Sequence, residues 1–230
     1  MNVTWTAWML ALLLGLRHAS EPDHVIAVST LLAEQPRARR GYVLGALWGV
    51  GHSLALLIVG GLLLALHRVM SVRMADVFEL FVAMMLLLLG ARSIVRAVRG
   101  FNEGATRRHR HEAMEHEHAG APDHIHLGGW TLAVRPLLVG LVHGTAGSGA
   151  LTAVALAAMP SLATGLIYML IFGLGSIAGM ALLTGVAGWP MRRLAERRGI
   201  RSALGAAAGI GSMSLGVFWG WPLVVQFAGR

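Results

Sequence analysis

His18, Asp23 and His24 stand within seven residues of one another, in the order H-x4-D-H, inside an apolar stretch running from Val3 to about Ala33. Two imidazoles and a carboxylate are a ligand set for borderline divalent ions such as nickel, cobalt or zinc. The chain has no cysteine, so thiolate ligands, disulfides and a thiol nucleophile are excluded. On an unbroken helix, steps of five and six residues would send the three side chains to different faces. Pro22 lies within the motif; it removes a backbone donor and disfavours helix at Glu21, so a break there would let the three converge. Ionisable groups in mid-span are costly to bury and mark ion or proton sites. The competing reading is a polar network that only joins helices.

His52, in Gly51-His52-Ser53, is a further ligand candidate, and His143 another. Ser53, Thr145 and Ser148 are candidate hydroxyls along a pathway, although helix hydroxyls usually bond a carbonyl of the preceding turn. Arg17 and Glu21 read as a local ion pair. Glu79 reads as a snorkelling surface carboxylate near the outer end of a later span.

The elements that must position these groups follow from composition. The 230 residues are 56% hydrophobic and only 13% charged, with 30 glycines. Soluble domains carry about twice that share of charge. Soluble, disordered and fibrous classes are therefore excluded, and an all-α polytopic membrane protein remains. Six apolar stretches are long enough to cross the bilayer as helices: Val3 to about Ala33, Tyr42–Leu66, Val77–Val98, Pro136–Met159, Leu162–Val186 and Ser202–Val225. Met1–Leu16 lacks a basic n-region and reads as part of a retained span rather than a leader.

All 19 basic residues are arginines, and 15 of them fall in the segments after spans one, three and five. Arg68, Arg73 and Arg230 fall on the other side. The positive-inside rule then places both termini outside and residues 99–129 in the cytoplasm, and the basic balance reports topology rather than nucleic-acid binding.

An internal repeat is visible. Leu14-Gly15-Leu16-Arg17-His18-Ala19-Ser20 aligns with Val139-Gly140-Leu141-Val142-His143-Gly144-Thr145 at an offset of 125, and Trp48-Gly49-Val50-Gly51 with Phe172-Gly173-Leu174-Gly175 at 124. A three-helix repeat in six spans is inverted, which places a site near the midplane at interrupted helices in the two halves. Spans one and four are the expected interruptions, the second at residues 143–149. The expected organisation is a first half (1–98), a His-rich cytoplasmic loop (99–129) and a second half (130–230). The loop carries His109, His111, His116, His118, His124 and His126 among acidic residues, a tract expected to bind divalent metal as an auxiliary site with little fixed structure.

The H-x4-D-H segment, the Gly51-His52-Ser53 motif and the Gly140–Leu151 stretch resemble the nickel/cobalt transporter superfamily (NiCoT/NicO), in particular its shorter, urease-accessory-like members. The resemblance implies metal recognition by His18, Asp23 and His24, and a secondary transporter of Ni²⁺ or Co²⁺, with Zn²⁺ as another candidate substrate, in a bacterial cytoplasmic membrane. His52 and His143 complete the expected site. No prosthetic group is expected, and G-x-S-x-G, Walker A and H-E-x-x-H are absent from the sequence. Two alternatives stay open. One is a non-transporting accessory protein that hands metal to a metallochaperone or a urease- or hydrogenase-type partner. The other is an intramembrane metalloenzyme.

Overall fold

The computed structural model describes residues 3–34, 41–102, 107–111, 114–118, 124–127, 130–194 and 198–229. The first apolar stretch forms two helices, α1 (Val3–His18) and α2 (Pro22–Glu34), with the expected break between them. Pro22 takes the first position of α2, where its missing N–H is one of the unpaired donors of any helix start. Ser20 N–H and Oγ both donate to the Arg17 carbonyl, at 2.9 and 2.6 Å, and Glu21 N–H donates to that of His18 at 3.1 Å. The break therefore leaves these backbone groups satisfied.

The second span is α3 (Gly41–Ala55), a single π-helical turn (Leu56–Gly60) and α4 (Gly61–Ala65). It ends with His67 at φ 50°. Arg68 N–H reaches the Leu63 carbonyl at 2.9 Å and His67 N–H that of Leu64 at 3.1 Å. This is a Schellman closure with histidine where glycine usually stands. The remaining helices are α5 (Val72–Asn102), α6 (Val134–Ala158), α7 (Leu162–Leu194) and α8 (Arg198–Ala228). Among the described residues, four helical stretches are long and apolar enough to cross a membrane: Gly41–Ala65, Val72–Arg99, Leu162–Pro190 and Gly199–Ala228. Their outward faces carry Leu62, Leu88, Leu174 and Val186, all exposed, a surface suited to lipid rather than water.

The break expected at residues 143–149 is not there: α6 runs through it as one helix. A glycine keeps its N–H and costs a helix only about 1 kcal/mol relative to alanine. These glycines serve close packing instead. A Cβ on Gly140 would strike the Trp48 carbonyl, and one on Gly144 the His52 carbonyl. Small residues let α3 and α6 approach backbone to backbone, as helices in lipid do.

The close approaches recur in swapped order. Gly15 on α1 abuts the Phe172 carbonyl and Ser176 N on α7, as Gly140 on α6 abuts the Trp48 carbonyl and His52 N on α3. Gly175 meets Leu12 and Leu16, as Gly51 meets Leu137 and Leu141. Gly179 meets Ala19, as Gly144 meets Ala55. In each case the second pair is the first shifted by the offsets of the sequence repeat. The order of these contacts makes α1 parallel to α7 and α3 parallel to α6. Gly45 against Met180 and Gly49 against Ile177 make α3 antiparallel to α7. It follows that α1 and α6 run in opposite directions. α5 and α8 pack antiparallel, Gly90 against Gly209 and Ala83 against Gly216.

Between α5 and α6 the chain forms two antiparallel hairpins, β1 (Arg107–His111) with β2 (Met114–His118) and β3 (His124–Leu127) with β4 (Trp130–Ala133). The sequence reading gave this segment little fixed structure. The backbone register sets Arg108 against Glu117 and Arg110 against Glu115.

Candidate metal centre

The α1–α2 break carries His18 to the end of one helix and Asp23 and His24 to the start of the next. The α3–α6 contact carries His52 and His143 to the same level. The rings of His18 and His24 lie 4.5 Å apart between centroids, those of His24 and His143 4.3 Å, and those of His18 and His52 5.1 Å. His24, His52 and His143 are at most 2% exposed and Asp23 is 7% exposed, so these groups are nearly dry. Trp48 and Phe172 wall the cluster, their rings 5.3 Å from His24 and 5.4 Å from His18.

Asp23 lies between two imidazoles. His24 Nδ1 donates to its Oδ1 at 3.0 Å and His143 Nε2 to its Oδ2 at 2.6 Å. Each bond fixes a tautomer and leaves the opposite ring nitrogen with a lone pair: Nε2 of His24 and Nδ1 of His143. Both atoms are buried without a hydrogen-bond partner, and so is Nδ1 of His52. Orphaned acceptors in a dry core are destabilising unless something binds them. His18 Nδ1 pairs with Glu21 Oε2 at 2.9 Å, and its Nε2 lies 3.1 Å from Nε2 of His52. Glu21 was expected to pair with Arg17; its recorded partner is His18.

Two overlapping donor sets result. His18, His24 and His52 form one and Asp23, His24 and His143 the other, the ligand atoms of each lying within 4.8 Å of one another. Small side-chain shifts bring such atoms to the ~2.0–2.2 Å nitrogen and oxygen distances of a bound divalent ion. All five ligand candidates from the sequence are thus in one cluster. The hydroxyls are engaged elsewhere: Ser53 Oγ donates to the Gly173 carbonyl at 3.1 Å and Thr145 Oγ1 to that of Val142 at 2.7 Å. The side chains of Ser148, His109, His111, His116, His118, His124 and His126 lie outside the described residues.

A cavity of about 520 Å³ opens onto the cluster. Glu79 of α5, exposed as expected, also lines it beside Glu21 and Asp23. Sequence reasoning missed this because Glu79 has no motif around it; only the antiparallel α5–α8 packing places it there.

A bundle of apolar helices around a dry His/Asp cluster defines an integral membrane protein of the metal-handling class. Residues 4–196 match the NicO family, described as high-affinity nickel-transport protein, and the chain belongs to that family. It is therefore a transport-family protein and not an enzyme. It is also 31% identical over 216 residues, 94% of its own length and 91% of the relative's, to the urease accessory protein UreH of Bacillus sp. (strain TB-90). No solved structure matches the chain.

Proposed function

We propose that this protein is a secondary transporter that carries Ni²⁺, and by the same chemistry Co²⁺, across the membrane through the His18/Asp23/His24/His52/His143 cluster. The observation that carries the reading is the pair of overlapping donor sets whose buried ring nitrogens lack partners. Asp23 supplies the negative charge and holds two imidazoles in the tautomers that leave lone pairs for a cation. His143 is the only member contributed by the second half, so the Asp23–His143 bond joins the two halves at the ion's position.

The swapped glycine contacts and the opposed directions of α1 and α6 support a six-span, three-plus-three inverted repeat, the architecture in which one half rocks against the other around a midplane site. The arginine distribution supports termini outside and residues 99–129 inside, in a bacterial cytoplasmic membrane. The His-rich segment then gathers or senses cytoplasmic metal as an auxiliary site.

A second reading is favoured by the name of the UreH relative: the protein delivers nickel to a urease-type partner without moving it across the bilayer. Uptake and efflux of Ni, Co, Zn and Mn separates the two, measured in cells with and without the gene and in liposomes holding the purified chain. Metal flux dependent on the protein establishes transport. Tight nickel binding with no flux in liposomes leaves the delivery reading.

A further inference from the structure

We infer that Glu79 is a cation-capture residue at the mouth of the route to the buried cluster, one of two exposed carboxylates that, with the buried Asp23, draw a divalent ion inward. The inference rests on the metal-binding reading above and adds the path and a residue to it. The cavity that reaches His24 and His143 is lined by Glu79, Glu21 and Asp23. Glu79 and Glu21 are exposed and Asp23 is buried. Among the described residues no arginine lines the cavity, although the chain carries 19 and has a net charge of +8. A cleft of one sign with low-dielectric walls focuses the field and raises the local concentration of the opposite ion. At its inner end stands His24, 1% exposed, with Nε2 unpartnered. The cavity therefore leads from a carboxylate in contact with solvent to a vacant donor.

The mouth belongs to one end of the bundle. Glu79 lies about 10 Å along the axis from the start of α5. Its neighbours across the antiparallel packing, Trp219, Pro222 and Leu223, stand near the end of α8. This is the end that carries the 66–71 connection and the C-terminus, on the opposite side of the membrane from the arginine-rich segments.

Two measurements on the full chain in lipid nanodiscs test this. The first is the association rate of Ni²⁺, followed by competition with a fluorescent chelator. Glu79→Gln should slow association about threefold to tenfold at low salt with the number of ions bound unchanged. Glu79→Asp should restore most of the rate, and raising the salt should close the gap between wild type and Glu79→Gln. Association by a folded Glu79→Gln at the wild-type rate would overturn the inference. The second needs no metal and uses the cysteine-free background. In Ala146→Cys, which lines the cavity, a cationic thiol reagent should outpace an anionic one of equal size, and adding Glu79→Gln should shrink that ratio about threefold. A ratio unmoved by Glu79→Gln is the second result that overturns it. Binding that depends on Glu79 without liposome flux sinks transport and leaves capture standing. Normal flux with no dependence on Glu79 does the reverse.

Discussion

Imidazoles reach the centre of the bundle from three places, and two of them, the α1–α2 break and the middle of α6, form a natural pair. The two share their packing and differ in their backbone. Gly15 and Gly140 seat the two helices against α7 and α3 in the same manner. Beyond that point one chain turns at residues 19–21 and restarts at Pro22, while the other continues as helix through Gly149. The broken side presents His18, Glu21, Asp23 and His24 to one cavity and the continuous side presents only His143 among ligand-type residues. Close packing sets where a helix stands; a break decides how many donors it can aim at one point.

The largest way to break that contrast is to remove the carboxylate on which both sides converge. Asp23→Asn keeps the shape but loses the charge and one acceptor arrangement, so Ni²⁺ affinity should fall about 100-fold or more by titration calorimetry. A loss below threefold in a folded variant would remove Asp23 from the site. Next comes the break itself. Pro22→Ala touches no ligand yet permits a continuous helix, which would swing His18 away from Asp23 and His24; affinity should drop by about tenfold or more. Unchanged binding would mean that the turn at residues 19–21 persists without the proline.

The two sides can also be compared ligand for ligand. His24→Ala should weaken binding more than His18→Ala or His143→Ala, because His24 serves both donor sets and each of the others only one. An effect at His143 as large as that at His24 would place the ion in the Asp23/His24/His143 set alone. Acid sharpens the same comparison: only neutral imidazole coordinates, so Ni²⁺ binding should weaken once the pH is low enough to protonate the ligands and recover when it rises. Nickel affinity unchanged down to the pH at which the protein unfolds would mean that oxygen donors dominate. The smallest effect is expected outside the bundle. Deleting residues 103–126 should leave maximal flux within about twofold, since an auxiliary tract gathers metal without forming the route. Complete loss of flux by a correctly inserted deletion would favour the delivery reading.

Much of this was legible in the residues. Apolar run lengths located the helices to within several residues, because a span needs length and little else. The H-x4-D-H spacing with Pro22 inside it identified the break and the side chains that cluster at it, since proline constrains the backbone directly. Gly144, Gly147 and Gly149 misled, because glycine permits a break without requiring one; the neighbouring α3 backbone decided the outcome. The π-turn at Leu56–Gly60 has no sequence signal in Leu56-Leu57-Ile58-Val59-Gly60. The cavity beside Glu79 was not legible, because an exposed carboxylate near a span end looks alike whether it faces lipid headgroups or a cavity. Which of the two it faces depends on a helix 140 residues away in the chain, Glu79 lining the cavity beside Trp219.

The swapped glycine contacts bear on how the chain can be divided. The α1–α7 and α3–α6 contacts repeat one another with the partners exchanged, as the contacts of an isologous dimer do. Such an interface is assembled from two separate pieces and owes little to the covalent link between them. Severing the link within residues 103–129 and co-expressing the fragments should therefore give two polypeptides that find each other in the bilayer, with the Asp23–His143 bond as the mark of correct reassembly.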